Sequence, residues 1–209
     1  GGAHLSNRAK LTSSGSRFYG NRAVNGGGLH AVESSEVTIE LTQFRGNVAR
    51  RSGGGLSFEN SALVLTNGCI LAHNVATESA GAVYLDDSTF ECSSGQIIDN
   101  FASIGAGLLL LKSSSRFQNC SLSRNVATTK HCDMGASLCG GGGLLASSSS
   151  ILLHNSSLRN NTAGIQGRGG AMLLSEAAVL NLTDTVVSGN VAGGNGGGVA
   201  TLLGSSMFA

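Results

Sequence analysis

Seven times along this chain an apolar residue is followed three positions later by Asn, and that Asn two positions later by Ala. The apolar members are Phe18, Phe44, Leu71, Ile97, Leu122, Leu158 and Val187. The pairs behind them are Asn21/Ala23, Asn47/Ala49, Asn74/Ala76, Asn100/Ala102, Asn125/Ala127, Asn161/Ala163 and Asn190/Ala192. Glycine clusters punctuate the same rhythm at Gly1, Gly26, Gly53, Gly81, Gly105, Gly141, Gly169 and Gly196, spaced mostly by 25 to 28 residues. Self-similarity at such a period marks a repeat architecture, in which no unit buries its apolar face alone and stacking makes one continuous core.

The runs inside a unit are short. Gly28-Leu29-His30-Ala31-Val32, then Val37-Thr38-Ile39-Glu40-Leu41, then Phe44 to Ala49 have strand lengths, not helix lengths. Leucine-rich spacing and long amphipathic runs are both absent. Three short strands and three turns per unit predict an all-β fold, a right-handed parallel β-helix of about eight coils. At a strand spacing of ~4.8 Å this gives a rod of roughly 38 Å. Equivalent residues then lie over one another. Stacked Asn side chains satisfy as a column what one buried Asn cannot, the apolar residue forms core, Ala keeps a corner small, and Gly permits the next bend.

Residues 1–209 read as one domain, with 128–140 as an inserted loop on one face. The amino end, Gly1-Gly2-Ala3, has no targeting signature, so any leader is expected outside this segment. With no cap recognisable at either end, the chain is expected to be a segment of a longer solenoid, and end-to-end pairing with other copies is the alternative.

Thirteen basic residues against twelve acidic ones leave no basic stripe for phosphates, so nucleic acid is not an expected partner. No stretch approaches the ~20 apolar residues of a membrane span. The five cysteines suggest an oxidising compartment. Cys132 and Cys139 would close a short disulfide loop. Among Cys69, Cys92 and Cys120 a pair between neighbouring coils, for instance Cys69 with Cys92, stands beside a buried free thiol for at least one. Sequons at Asn119, Asn155, Asn160 and Asn181 fit a secreted glycoprotein, although a chain rich in Asn, Ser and Thr also produces them by chance.

Gly-Gly-Ala-x-Leu at the start, Phe18-Tyr19-Gly20-Asn21, Phe44-Arg45-Gly46-Asn47 and Gly169-Gly170-Ala171-Met172 resemble the GGA(I/L) and FxxN repeats of the polymorphic outer-membrane protein family. Those are autotransporter-type adhesins with β-helical passenger domains. The resemblance spans essentially the whole chain and implies a pectate-lyase-like β-helix exposed outside the cell.

Since parallel β-helices include polysaccharide-cleaving enzymes, acidic pairs matter. Asp86-Asp87, with Glu33 and Glu59 at nearly the same repeat position, are the candidate acid and base or a weak Ca²⁺ site. The following coils offer only Lys112, Ser148 and Glu176, so solvated turn acids are the expectation. His131 beside Cys132 and Cys139 makes a poor zinc site. His4, His30, His73 and His154 fall at unrelated repeat positions. Neither Gly140–Gly143 nor Gly194–Gly198 is a phosphate loop, because both recur at the repeat boundary and no Lys-Ser/Thr follows.

The expectation is therefore an extracellular structural or adhesive rod without enzymatic activity or cofactor, part of a cell-surface layer or of a filament such as a flagellar hair. Its partners would be other copies, other cell-surface proteins and covalent glycans. A polysaccharide lyase or hydrolase, or a non-catalytic glycan-binding module, is the alternative.

Overall fold

The computed structural model describes residues 1–130 and 138–209. The described residues form thirty strands and no helix. The strands build four parallel sheets: sheet A from Ala3–Leu5 to Val199–Thr201, sheet B from Lys10–Ser14 to Ser206–Phe208, sheet C from Arg17–Tyr19 to Val186–Ser188, and sheet D from Arg22–Ala23 to Val191–Ala192. Sheets A and B have eight strands and C and D seven, so seven complete coils are followed by the first half of an eighth. The expected parallel β-helix is the observed one.

Each coil contains four strands, not the three read from the sequence. The fourth is only two residues long and contains the motif Ala, as in Val48–Ala49 and Val75–Ala76. A two-residue strand carries no period of its own, so it reads as a corner.

Register follows the repeat without slippage. Phe18, Phe44, Leu71, Ile97, Leu122, Leu158 and Val187 are successive partners in sheet C. The rings of Phe18 and Phe44 stack at 4.6 Å, nearly coplanar. Alternate residues of sheets A and B complete one continuous apolar core, for example Leu108 and Leu110 inward beside Phe117. The insertion does not disturb this register. Thr129 N–H still donates to Ser103 O at 2.8 Å, and Gly105 N–H donates to Gly140 O at 2.9 Å.

A second apolar cluster lies outside the tube. Leu109, Leu145 and Leu173 point outward from sheet A yet are buried, together with Ala80 and beside Ile104 and Leu138. The segments joining sheet D to sheet A fold back over this face. Glycine makes the fold-back possible: Gly26 has φ +57°, and a Cβ on Gly54 would lie 2.5 Å from both Gly81 O and Val75 O.

The other three corners obey one rule. At most rungs a residue in the left-handed conformation is followed at once by an inward polar side chain, Ala9, Gly95 and Ala178 being the exceptions. Between sheets C and D the left-handed residues are Gly20, Gly46, His73, Asp99, Arg124, Asn160 and Gly189, and the following residues are the seven motif asparagines. Each Asn Oδ1 accepts both the backbone N–H and the Nδ2–H of the Asn one coil earlier, at 2.9–3.1 Å along the column. Each Nδ2 from Asn47 onward also donates to the backbone carbonyl of the apolar residue one coil back, as Asn100 does to Leu71 O at 3.0 Å.

Truncating Asn100, 1% exposed, removes the acceptor of the Asn74 N–H, one of the two acceptors of the Asn74 side-chain amide and a donor to the Leu71 carbonyl. At ~1–3 kcal/mol per buried unsatisfied group, Asn100→Ala should cost on the order of 3–5 kcal/mol. Asn190→Ala, at a half-buried rung, should cost less. Urea denaturation midpoints check both; equal shifts would contradict the column as the source of the effect.

Candidate functional site

The carboxylates singled out by sequence lie around the corner between sheets A and B. Glu59 and Asp86 are register partners at adjacent rungs of sheet A. Asp87 occupies the left-handed corner position, with φ +45°, and is exposed. Glu33 is displaced, because its coil has an extra corner residue, Glu33 and Ser34 both being left-handed. Its carboxylate instead accepts the Asn7 N–H at 3.0 Å. Glu59 and Asp86 therefore project side by side from one face at ~4.8 Å rung spacing.

The structure places other groups beside them. His4 and His30, read from the sequence as unrelated in the repeat, are register partners whose rings stack at 5.2 Å. Gly2 N–H donates to Gly27 O, so Gly1 and Gly2 align with Gly27 and Gly28, and His4 with His30. The outward column continues through Ser57 to Tyr84. Burial lowers the His30 pKa below its ordinary value, opposed by nearby Glu59 and reinforced by His4. Tyr84 is pushed up to about 12 by burial first, then by Asp86 and Glu59. His30 Nδ1 and Ser57 Oγ are buried without a hydrogen-bond partner. Such a face holds a neutral imidazole and a protonated phenol at neutral pH.

Two hydroxyl columns went unseen in the sequence. Between sheets A and B the residues Ser35, Ser61, Ser88, Ser113 and Ser149 stack, each Oγ from Ser61 onward accepting the backbone N–H of the serine one coil earlier at 3.0–3.2 Å. Between sheets B and C the column is Ser16, Thr42, Cys69, Gly95, Cys120, Ser156 and Thr185, each directly after a left-handed residue where that residue's φ is positive, as at Leu41, Gly68, Ser94 and Asn119. Thr42 Oγ1 donates to Glu40 O at 2.8 Å, and the Cys69 thiol donates to Thr66 O at 3.1 Å in the same way. Cys69 is thus a buried free thiol acting as a hydroxyl surrogate, its pKa raised by burial.

Cys92 and Cys120 form a disulfide between adjacent coils, with Cα atoms 6.7 Å apart. This replaces the Cys69–Cys92 pairing offered as an example from spacing. Gly95 explains the choice: it leaves its rung of the column empty, and the disulfide fills the space. A Cβ on Gly95 would lie 2.7 Å from Cys92 Sγ. The expected Cys132–Cys139 pairing falls on Cys132, which lies outside the described residues, as does His131.

The sequon residues Asn119, Asn155 and Asn160 are exposed at left-handed corner positions. Asn155 Nδ2 donates to Asn119 Oδ1 at 2.7 Å across adjacent coils. Asn181 is half-buried on the outer face of sheet B. No group of three or more His, Cys, Asp or Glu able to hold a metal ion occurs among the described residues.

No protein-family model, curated protein or solved structure matches the chain.

Two outcomes test these placements. Because the folded pKa of His30 is lowered, the unfolded chain binds more protons below its ordinary pKa of ~6.5, and stability falls as pH drops through that value toward the folded one. In His30→Gln the decrease in urea midpoint from pH 7 to pH 5 should be smaller; an unchanged decrease would place the acid sensitivity elsewhere. Gly95→Ala should impair Cys92–Cys120 closure, read by non-reducing peptide mapping, whereas Cys69→Ser should leave the melting temperature within a few degrees of wild type because a hydroxyl already serves at Thr42. A fully closed bond in Gly95→Ala would refute the packing account.

Proposed function

We propose that this chain works as an extracellular structural or adhesive rod, a unit of a cell-surface layer or filament, and not as an enzyme. The observation that carries the reading is the uninterrupted column of side-chain hydrogen bonds at the corner between sheets C and D, running from Asn21 to Asn190. Such columns, with the four sheets, place hydrogen bonds parallel to the rod axis, so bending or stretching the rod loads many of them together.

Three further features support an oxidising, exposed setting. The Cys92–Cys120 disulfide ties adjacent coils. Sequon residues Asn119, Asn155 and Asn160 are exposed. The GGA(I/L) and FxxN resemblance points to adhesins. The partners in this reading are other copies, other cell-surface proteins and covalent glycans, with no cofactor.

The deciding experiment pairs localisation with chemistry. Secreted from its native cells, the protein should carry N-glycans at one or more of Asn119, Asn155, Asn160 and Asn181 by mass spectrometry, should be labelled at the cell surface by antibody without permeabilisation, and should release no oligosaccharide from pectin or alginate. Product formation abolished by Asp86→Asn, or an intracellular pool lacking both glycan and disulfide, would overturn the proposal.

A further inference from the structure

Net charge near balance conceals a sharp division between faces. In the first two coils every carboxylate, Glu33, Glu36 and Glu40, lies at the corner between sheets A and B or on sheet B. The stretches 15–28 and 42–55, which build sheets C and D and the return to sheet A, contain no Asp or Glu but hold Arg17, Arg22, Arg45, Arg50 and Arg51. Lys10 is paired with Glu36 on the opposite side. Arg51 is 3.6 Å from Glu78 of the third coil. Arg17, Arg22 and Arg50 are exposed and have no carboxylate partner among the described residues.

The arginines alternate with apolar side chains. Arg22 and Val48 are register partners in sheet D. Arg50 N–H donates to Ala23 O at 3.0 Å, which sets Arg50 beside Val24 one rung away. The four side chains form a checkerboard around an open depression of about 350 Å³ lined by Arg22, Ala23, Val24, Val48 and Arg50. Val24 is 53% exposed and Tyr19, on the neighbouring sheet, 52%.

We propose that this depression binds an acidic polysaccharide, one bearing sulfate or uronate groups. Guanidinium forks take sulfate or carboxylate oxygens bidentately. Val24 and Val48 offer apolar surface to the C–H faces of the sugar rings. The ~4.8 Å rung spacing is close to the advance of one pyranose along an extended chain, so arginines on consecutive coils meet successive anionic groups. A volume of this size accepts one or two sugar rings. This assignment rests on the adhesive reading above and supplies it with a ligand class.

The test uses the intact protein on immobilised heparin, polygalacturonate, neutral dextran and duplex DNA, with retention measured against salt. Wild type should bind the sulfated or uronate column, or both, and elute as salt rises, while dextran does not retain it. Arg22→Ala with Arg50→Ala should weaken binding about tenfold and lower the salt slope by about two. Charge reversal at both positions should abolish retention. Arg116→Ala, on the outer face of sheet B, should bind as wild type, and circular dichroism should report unchanged strand content in every variant.

No retention on either acidic column, equal losses in Arg116→Ala, or DNA binding as tight as glycan binding would each overturn the assignment, and so would salt-sensitive self-association removed by the same arginine substitutions without glycan binding. A protein that fails here yet remains glycosylated and surface-exposed keeps its structural role. Depolymerisation of polygalacturonate on the column would instead remove the reading on which the proposal rests.

Discussion

The structure depends on a single backbone manoeuvre repeated at three of the four corners of most coils: one left-handed residue turns the chain, and the next residue points its polar atom into the tube. That atom accepts the N–H of the equivalent residue one coil back, a donor that the turn has removed from the sheets. Asn does this between sheets C and D, Ser between A and B, and Ser, Thr or Cys between B and C. Unmet, each such buried donor would cost ~1–3 kcal/mol. Met by its neighbour, it fixes the register, because slipping a coil by one residue would break the hydrogen bonds of every column at once.

This also explains what the sequence discloses. The left-handed positions accept Gly, Asn and Asp but also Leu41, Lys112 and Arg124, since the surrounding coils over-determine them. They therefore have no compositional signature. The asparagine column is legible because Asn offers an acceptor and two donors in the needed reach, as the Asn47 bonds at 2.8 and 3.0 Å to the coils on either side show. The hydroxyl columns are not, because Ser, Thr and Cys interchange freely at a corner that asks only for one acceptor facing the earlier coil and one donor for a carbonyl of its own.

The errors in reading the surface have the same origin. Glycine clusters mark each coil only to within a residue, and a shift of one moves a strand residue from one face to the other. His4 and His30 consequently seemed unrelated although they stack. Pairing of Cys92 was equally hidden, since it depends on Gly95, a residue whose contribution is the side chain it lacks. Fold class, register and the main column were thus written in repeated chemistry, while the contents of individual faces were written in single residues.

A solenoid of this design separates support from recognition. The columns and the core hold inward positions nearly constant from coil to coil, leaving exposed outward positions freer to vary. Outward residues of sheet A change from His through Ser to Tyr along the first four coils, and arginine is densest on sheets C and D of the first two coils. Variation that leaves the register intact is not needed for folding, so its clustering on one face is where a partner's chemistry is most directly recorded.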